Sequence, residues 1–142
     1  MNPVLLRRGR VTSRFLLLCV LACSTVAPHA FAQEGHPLKG TWLGDWGPNK
    51  NARNHVTVVF DWDGKNITGL INPGARAIPI HKASLEPKGW LVHFEAEAKD
   101  TTGKIVHDVV EGKIDNLGLY QRSIAGTWSR DNVKNDFKIT RP

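Results

Sequence analysis

Two segments of the chain alternate apolar and polar residues with a period of two. Residues 55–62 place four apolar side chains on one face, and residues 90–98 place five on one face with His93, Glu95 and Glu97 on the other. Successive side chains of a β-strand point to opposite faces, so both segments are predicted to be strands with one buried face. The inward residues are predicted to be Val56, Val58, Phe60, Trp62, Trp90, Val92, Phe94, Ala96 and Ala98.

Turn-forming residues separate the apolar runs along the rest of the chain. Asp63-Gly64, Asn72-Pro73-Gly74 and Pro87-Lys88-Gly89 are strong turn signals, because glycine, proline, asparagine and aspartate favour turn backbone conformations. No amphipathic helix competes with the strand pattern. The predicted strands are 39–46, 54–62, 66–72, 77–86, 90–98, 104–114, 119–129 and 134–141.

The pattern favours an all-β fold, an up-and-down antiparallel β-barrel of about eight strands. Sequential hairpins with one apolar face gain from closure, because a closed barrel has no exposed edge on which another chain could pair. Residues 39–46 are therefore expected to pair with residues 136–141. A barrel of about eight strands holds either its own side chains or one small ligand. A two-sheet sandwich is the alternative.

The first 32 residues have the features of a signal peptide. Four arginines precede the uncharged apolar run 15–22, and Ala30-Phe31-Ala32 follows as a small-x-small cleavage site. The run is shorter than the roughly 20 residues of a membrane-spanning helix, so cleavage after Ala32 would release a soluble protein into the periplasm or the extracellular space. A lipoprotein anchored at Cys23 is the alternative, because Val20-Leu21-Ala22-Cys23 resembles a lipobox.

Removing the leader changes the charge and the chemistry of the chain. The formal net charge is +6 for the whole sequence and +2 without the four leader arginines, which argues against a nucleic-acid partner. Both cysteines, Cys19 and Cys23, lie in the leader, so a domain cleaved after Ala32 has no disulfide or thiolate chemistry. Residues 33–37 are predicted to form a flexible arm, and residues 38–142 a single barrel domain.

Short motifs occur at both ends of this domain. Gly40-Thr41-Trp42 begins the first predicted strand, Gly126-Thr127-Trp128 repeats the triplet, and Phe137-Lys138-Ile139-Thr140-Arg141 ends the last. Together they resemble the calycins, the lipocalin and avidin type of barrel, and small secreted bacterial β-domains without an assigned activity. The resemblance implies that Trp42 is buried under Arg141 in a cation–π contact that closes the barrel, and that Trp128 lies in the core. The lipocalin loop motifs and the biotin-contacting pattern of avidin are absent, so the resemblance implies no ligand class.

Polar residues that the alternation turns inward are candidate ligand-binding groups. The even positions of residues 104–114 are the more apolar ones, which places Asp108 inside. An unpaired carboxylate there is costly to desolvate, so Asp108 is predicted to pair with Arg122 in the barrel mouth, as a ligand site or as a buried ion pair. A different register would leave both in solvent. With the inward aromatic residues, the candidate ligand-binding set is Phe60, Trp90, Phe94, Asp108, Tyr120 and Arg122.

Trp46 is a candidate for contact with another molecule. It lies in Gly44-Asp45-Trp46-Gly47-Pro48, which is predicted to be an exposed loop, where an aromatic side chain either anchors a partner or packs on the turn.

No catalytic residue, metal site or cofactor is predicted. A nucleophile elbow and a glycine-rich phosphate loop are not found, and the histidines lack the spacing of metal ligands. They are interpreted as surface residues. The histidines after the leader are His36, His55, His81, His93 and His107.

The leading functional hypothesis is an exported, non-enzymatic barrel that binds a small ligand or an envelope component in its lumen. The alternative is an interaction module that binds another exported protein or a cell-wall polymer through its outer face, and a small hydrolase or isomerase is the least favoured class. A lumen with a volume of about 300 Å³ or more would favour the binder, whereas a filled interior would favour the interaction module.

Overall fold

The structure is a computed structural model that describes residues 35–142, in which eight strands follow one another along the chain. They are β1 (Gly40–Asn49), β2 (Ala52–Trp62), β3 (Ile67–Ile71), β4 (Ile78–Glu86), β5 (Leu91–Lys99), β6 (Ile105–Asp115), β7 (Arg122–Arg130) and β8 (Val133–Arg141). Each strand pairs antiparallel with the next and β1 pairs with β8, so the sheet closes into a barrel. The predicted all-β, up-and-down barrel is confirmed. Residues 35–142 contain no helix long and apolar enough to cross a membrane.

The predicted signal peptide, its cleavage site after Ala32 and the alternative anchor at Cys23 lie outside the described residues, as do residues 33 and 34 of the predicted arm. The remainder of the arm is hydrogen-bonded to the barrel end at which β1 begins. Lys39 donates its backbone N–H to the carbonyl oxygen of His36 at 2.9 Å, and Arg122 Nη1 donates to that of Pro37 at 3.3 Å. The next residue, Leu38, is completely buried.

The strands that close the barrel pair as the sequence predicts, with Leu43 opposite Thr140 and Gly47 opposite Asp136. Closure leaves neither strand with a free edge along this length. β1 continues to Asn49, past the predicted end of the first strand. Residues 44–48 therefore belong to the sheet, and the prediction that they form an exposed loop is wrong.

Aromatic rings from five strands fill the middle of the barrel. Phe60 on β2 meets Phe94 on β5 at 5.3 Å between ring centroids, and Phe94 meets Trp128 on β7 at 5.8 Å. Trp128 also contacts Trp46 on β1 and Phe137 on β8. The contacts are edge-to-face or stacked, the two arrangements that aromatic quadrupoles favour. Side chains of the protein itself thus cross the lumen from one wall to the opposite one.

The glycine of the second Gly-Thr-Trp triplet has a steric role. A Cβ atom at Gly126 would overlap the backbone carbonyl of Glu111 on the neighbouring β6. Any larger residue would push β6 and β7 apart at the level of the aromatic core, so this position requires glycine for close backbone approach.

β4 contains an irregularity that changes which residues face inward. Its register against β5 shifts by one residue between Ile80 and Lys82, as expected for a β-bulge. Ile78 and Ile80 are the more buried residues before the shift, and Ala83 and Leu85 after it. Proline has no N–H to donate and is accommodated at edges and bulges, and Pro79 lies just before this bulge.

β3 and β4 consequently pair over a short length. Their register runs from Ile71 opposite Ile78 to Gly69 opposite Ile80, three residue pairs in all. β3 remains paired with β2 as far as Ile67, whereas β4 remains paired with β5 as far as Glu86. The two strands therefore separate toward the end of the barrel where β1 begins.

Candidate functional site

The inward position of Asp108 is confirmed, but its predicted partner is wrong. Asp108 is 1% exposed, and its carboxylate accepts hydrogen bonds from Arg130 Nε at 2.8 Å, Arg130 Nη2 at 2.7 Å and Trp128 Nε1 at 3.0 Å. The register places Asp108 directly opposite Arg130 and brings Ile114 opposite Ile124. Arg122 lies beyond Ile124 at the other end of β7, so it cannot reach Asp108.

The bond to Asp108 fixes the position of Arg130 over the core. The carboxylate raises the pKa of the Arg130 guanidinium above its ordinary value. The guanidinium carbon lies 4.8 Å from the centroid of the Trp46 ring, and Trp46 in turn stacks on Trp128 at 5.3 Å. Trp46 is only 9% exposed. Its predicted role as an exposed anchor is therefore wrong, because β1 carries the side chain into the barrel.

The other candidate ligand-binding residues are spread over the molecule. Phe60 and Phe94 are buried in the packed aromatic interior. Trp90 lies just before β5 with φ 55° and is half-buried against the core. Tyr120 is 99% exposed, because β7 begins only at Arg122 and Tyr120 belongs to the connection before it, so its inward placement is wrong. Arg122 is buried and donates to the carbonyl oxygen of Pro37.

The residues expected to close the barrel occupy its interior and its end. Trp42 and Trp128 are completely buried, and Trp42 Nε1 donates to the carbonyl oxygen of Leu38 at 2.7 Å. The Arg141 side chain lies against Gly40, where its Nε is 3.1 Å from the position of a Cβ atom. Among residues 35–142 the cation–π contact is made by Arg130 and Trp46 instead. Arg130 was not among the candidate residues, although it shares the parity of Trp128.

A cleft opens where β3 and β4 separate, and it is the candidate functional site. Its volume is about 710 Å³. One wall is formed by residues 66–68, the opposite wall by residues 80–85 of β4, and His36 and Trp62 contribute at the barrel end. The cleft adjoins the core through Ile80, which is buried, and Ile67, which packs against the core cluster.

An aromatic pair lies at the entrance of this cleft. The ring centroids of His36 and Trp62 are 5.6 Å apart. Burial lowers the pKa of the His36 imidazole, and His36 Nδ1 accepts the backbone N–H of Leu38 at 3.3 Å, so the neutral ring carries its hydrogen on Nε2. Trp62 was predicted to face inward with Phe60, but it is 36% exposed because it ends β2 beyond the packed interior. Its exposed indole is available for stacking.

Some of the charged groups around the cleft are already engaged by other residues and others are free to contact a ligand. Both carboxylate oxygens of Asp63 accept hydrogen bonds within the turn, from the backbone N–H groups of Lys65 and Asn66 and from the Asn66 side chain. These bonds lower the pKa of the Asp63 carboxyl group. Lys82 Nζ lies 2.7 Å from Glu95 Oε1 on the outer face. Lys65 is exposed, and no carboxylate of the described chain lies within ion-pair distance of it. Lys65 is thus the cation of the cleft that has no ion-pair partner in the described chain, and it lies two residues from the ionised Asp63.

Lys82 belongs to a polar network on the outer face of β4, β5 and β6. Its ammonium and the His93 ring both bond to Glu95 Oε1, and they lower the pKa of the Glu95 carboxyl group to about 2. His81 and Glu111 extend the network at 3.9 Å from Glu95 and 3.8 Å from His93. Within residues 35–142, no three histidine, aspartate or glutamate side chains are grouped so that they could hold a metal ion.

The cleft was not predicted from the sequence. It forms where β3 and β4 stop pairing, and the alternation of residues along a strand does not show where pairing stops. Two signals for it were present in the chain. Pro79 interrupts hydrogen bonding within the predicted fourth strand, and Trp62 is an aromatic residue adjoining the Asp63-Gly64 turn.

Comparison of the chain with protein-family models, with curated proteins and with solved structures finds no match.

Proposed function

We propose that this protein is an exported, calycin-like binding protein that takes a small amphipathic ligand in the cleft between β3 and β4. The filled interior argues against the lumenal binder, so the proposal keeps only the ligand-binding class of that hypothesis and moves the site from the lumen to the barrel end. The observation that carries it is the cleft itself, with a volume of about 710 Å³ and a mixed lining of exposed indole, partly buried aliphatic side chains and lysine. Ligand sites of proteins are concave and use a few polar groups to orient the ligand, and the lining of this cleft, which is more polar than apolar, favours a ligand that carries polar groups itself.

The middle of the lumen is a poor position for a ligand. The continuous aromatic contacts from Phe60 through Phe94 and Trp128 to Trp46 leave centroid distances of 5.3 to 5.8 Å, which are those of rings in van der Waals contact. A ligand there would have to displace several core side chains. The cleft requires no such displacement, since it already adjoins solvent.

Charge and shape favour a ligand with a planar apolar part and an anionic group. The exposed Trp62 offers a flat surface for stacking, and His36 beside it offers an N–H donor. Lys65 supplies an exposed ammonium group that no carboxylate of the described residues pairs with directly.

Anilinonaphthalene sulfonate, a planar aromatic anion, is a direct probe of this site. Titration of the protein should raise the probe's fluorescence, and Trp62→Ala should raise its Kd about fivefold, because aromatic stacking contributes about 1 kcal/mol. Lys65→Gln should weaken binding as well, and added salt should weaken the wild type more than this variant.

Two exposed substitutions away from the cleft are matched controls. Tyr120→Ala removes an exposed aromatic side chain from the β6–β7 connection, and Lys50→Gln removes an exposed lysine from the β1–β2 turn. Both should leave the Kd unchanged. Binding that is equal in the wild type and Trp62→Ala, or that Tyr120→Ala weakens as much as Trp62→Ala does, would show that the probe does not bind in the cleft.

A further inference from the structure

Two arginines are neighbours at the barrel end where β1 begins. β7 starts at Arg122 and β8 ends at Arg141, and the register places these two residues directly opposite each other. The next inward pair along the same strands is Ile124 opposite Ile139, and both of these side chains are completely buried. Side chains two residues apart on a strand point to the same face. Arg122 and Arg141 therefore share the inward face and lie over the apolar interior.

Arg122 is a buried cation with little compensation. It is 7% exposed, and the one hydrogen bond that its side chain makes within residues 35–142 is that to the carbonyl oxygen of Pro37, at 3.3 Å. Arginine carries five N–H donors and stays protonated in proteins. Burial of a charge is costly unless an opposite charge and further hydrogen bonds satisfy it. A single bond to a neutral carbonyl does not supply this compensation.

Arg141 adds a second charge at the same place. Its side chain is half-buried and lies against Gly40, which has no Cβ atom to crowd it. No carboxylate of the described chain lies within ion-pair distance of Arg122 or Arg141. Like charges directly opposite each other on antiparallel strands destabilise the pair. The two guanidinium groups thus form a positive site that solvent reaches on the Arg141 side.

The other arginines of the described barrel do not share this feature. Arg53 and Arg130 are also half-buried, and each has a carboxylate partner, at 2.6 Å from Asp45 and 2.7 Å from Asp108, respectively. Arg76 is fully in solvent, where a lone charge is inexpensive. Burial without a carboxylate partner in residues 35–142 is therefore particular to the pair at the barrel end, and it favours a counter-ion from outside this part of the chain.

We propose that Arg122 and Arg141 bind a tetrahedral oxyanion, either a free phosphate ion or the phosphate group of a larger ligand. Guanidinium groups bind phosphate oxygens in pairs. Two of them can each take a different edge of one tetrahedral anion, and its two negative charges balance theirs. A carboxylate carries a single charge and is saturated by one bidentate guanidinium. Neither arginine lines the cleft between β3 and β4, so this site is independent of the proposed function.

Isothermal titration calorimetry with inorganic phosphate tests the site, at about pH 8, where phosphate is mainly a dianion. Sodium chloride keeps the ionic strength constant, so that a change in screening does not contribute. One phosphate should bind per chain, and Arg141→Gln should raise its Kd about tenfold, because it removes one of the two charged donors. Arg141→Lys, which keeps the charge without the planar donors, should give an intermediate Kd.

Phenyl phosphate distinguishes the two sources of the anion. Binding that is tighter than that of inorganic phosphate, and that Arg141→Gln weakens, would indicate the phosphate group of a larger ligand. Binding that is equal or weaker would indicate the free ion.

Arg76→Gln is the matched control, because it removes an exposed arginine that has no ion pair in the described chain, and it should leave the Kd unchanged. Circular dichroism checks that each variant is folded, and phosphate should also raise the melting temperature of the wild type at constant ionic strength. An absence of saturable binding, or an equal Kd in wild type and Arg141→Gln, would overturn the site. Tighter phosphate binding in Glu34→Gln would overturn it as well, since an acidic residue of the chain itself would then be the partner of the arginines.

Discussion

Asp108 shows how a single buried charge determines the packing around it. Three hydrogen bonds from Arg130 and Trp128 satisfy its carboxylate, two of them in the bidentate geometry that guanidinium favours. The same bonds hold Arg130 over Trp46. Asp108 therefore acts on the arrangement of the aromatic core rather than on a ligand.

Replacement of Asp108 by alanine is expected to lower the free energy of unfolding by about 2 to 3 kcal/mol, because it leaves the buried Trp128 indole N–H without its acceptor and removes the partner of the partly exposed Arg130. Urea denaturation followed by tryptophan fluorescence measures this change. Asp115→Ala is the matched control, since Asp115 is an exposed carboxylate on the same strand. A loss of stability in Asp108→Ala no larger than that in Asp115→Ala would contradict the role assigned to the buried pair.

β4 is the element whose irregularity creates the candidate site. Before the bulge its even-numbered residues face the interior, and after the bulge its odd-numbered residues do. A one-residue slip reverses the inward and outward faces of a strand. The bulge thus keeps apolar residues toward the core, and it lies where the pairing of β4 with β3 ends.

Aspartate substitutions at an inward and an outward position after the bulge test whether the two faces of β4 are reversed there. Leu85→Asp is expected to destabilise the protein by about 2 to 3 kcal/mol, because it places a charge at a half-buried apolar position. Ser84→Asp should change stability little, since Ser84 is exposed. Thermal unfolding monitored by circular dichroism compares the two variants. The reverse order of stability would mean that β4 continues the parity of Ile78 and Ile80 without a bulge.

Acid sensitivity is a property of the barrel as a whole, because five carboxyl groups within residues 35–142 have lowered pKa values. Glu95 is the largest case, with a pKa of about 2, caused by hydrogen bonds from Lys82 and His93. Asp100 and Asp131 are lowered mainly by a side-chain bond from Thr102 and a backbone bond from His107, respectively. The remaining two are Asp61 and Asp63.

The direction of the pH dependence follows from these shifts. A carboxyl group with a lower pKa in the folded state stabilises the fold above its unfolded pKa, and this contribution is lost as the pH falls through the folded value. The melting temperature should therefore decrease between about pH 4.5 and pH 2, the two values for Glu95. Glu95→Gln should decrease less over this interval. Glu86→Gln, an exposed substitution on β4, should follow the wild type, and an equal decrease in all three proteins would contradict the role of Glu95.

The alternation of residue types by itself determined the strands and the closure of the barrel. Each strand needs only a local period of two and flanking turns, and closure follows from the cost of free edges. The inward position of Asp108 was also predictable. Its partner was not, because the turn predicted at residues 115–118 would place Asp108 opposite Ala125, whereas the connection extends to residue 121 and the register places Asp108 opposite Arg130.

Only the tertiary structure decided where β3 and β4 separate and what their separation exposes. A β-bulge depends on how β4 hydrogen-bonds with its neighbours on both sides, β3 and β5, so it is not a property of the β4 sequence alone. The burial of Trp46 also depends on contacts between strands. Trp46 has the inward parity of Trp42, and it is buried because β1 pairs with both β2 and β8 as far as this residue instead of ending in a loop. The alternation of residues specifies which face of a strand points inward, whereas the contacts between neighbouring strands decide where two strands pair and where they separate, and the cleft forms where β3 and β4 separate.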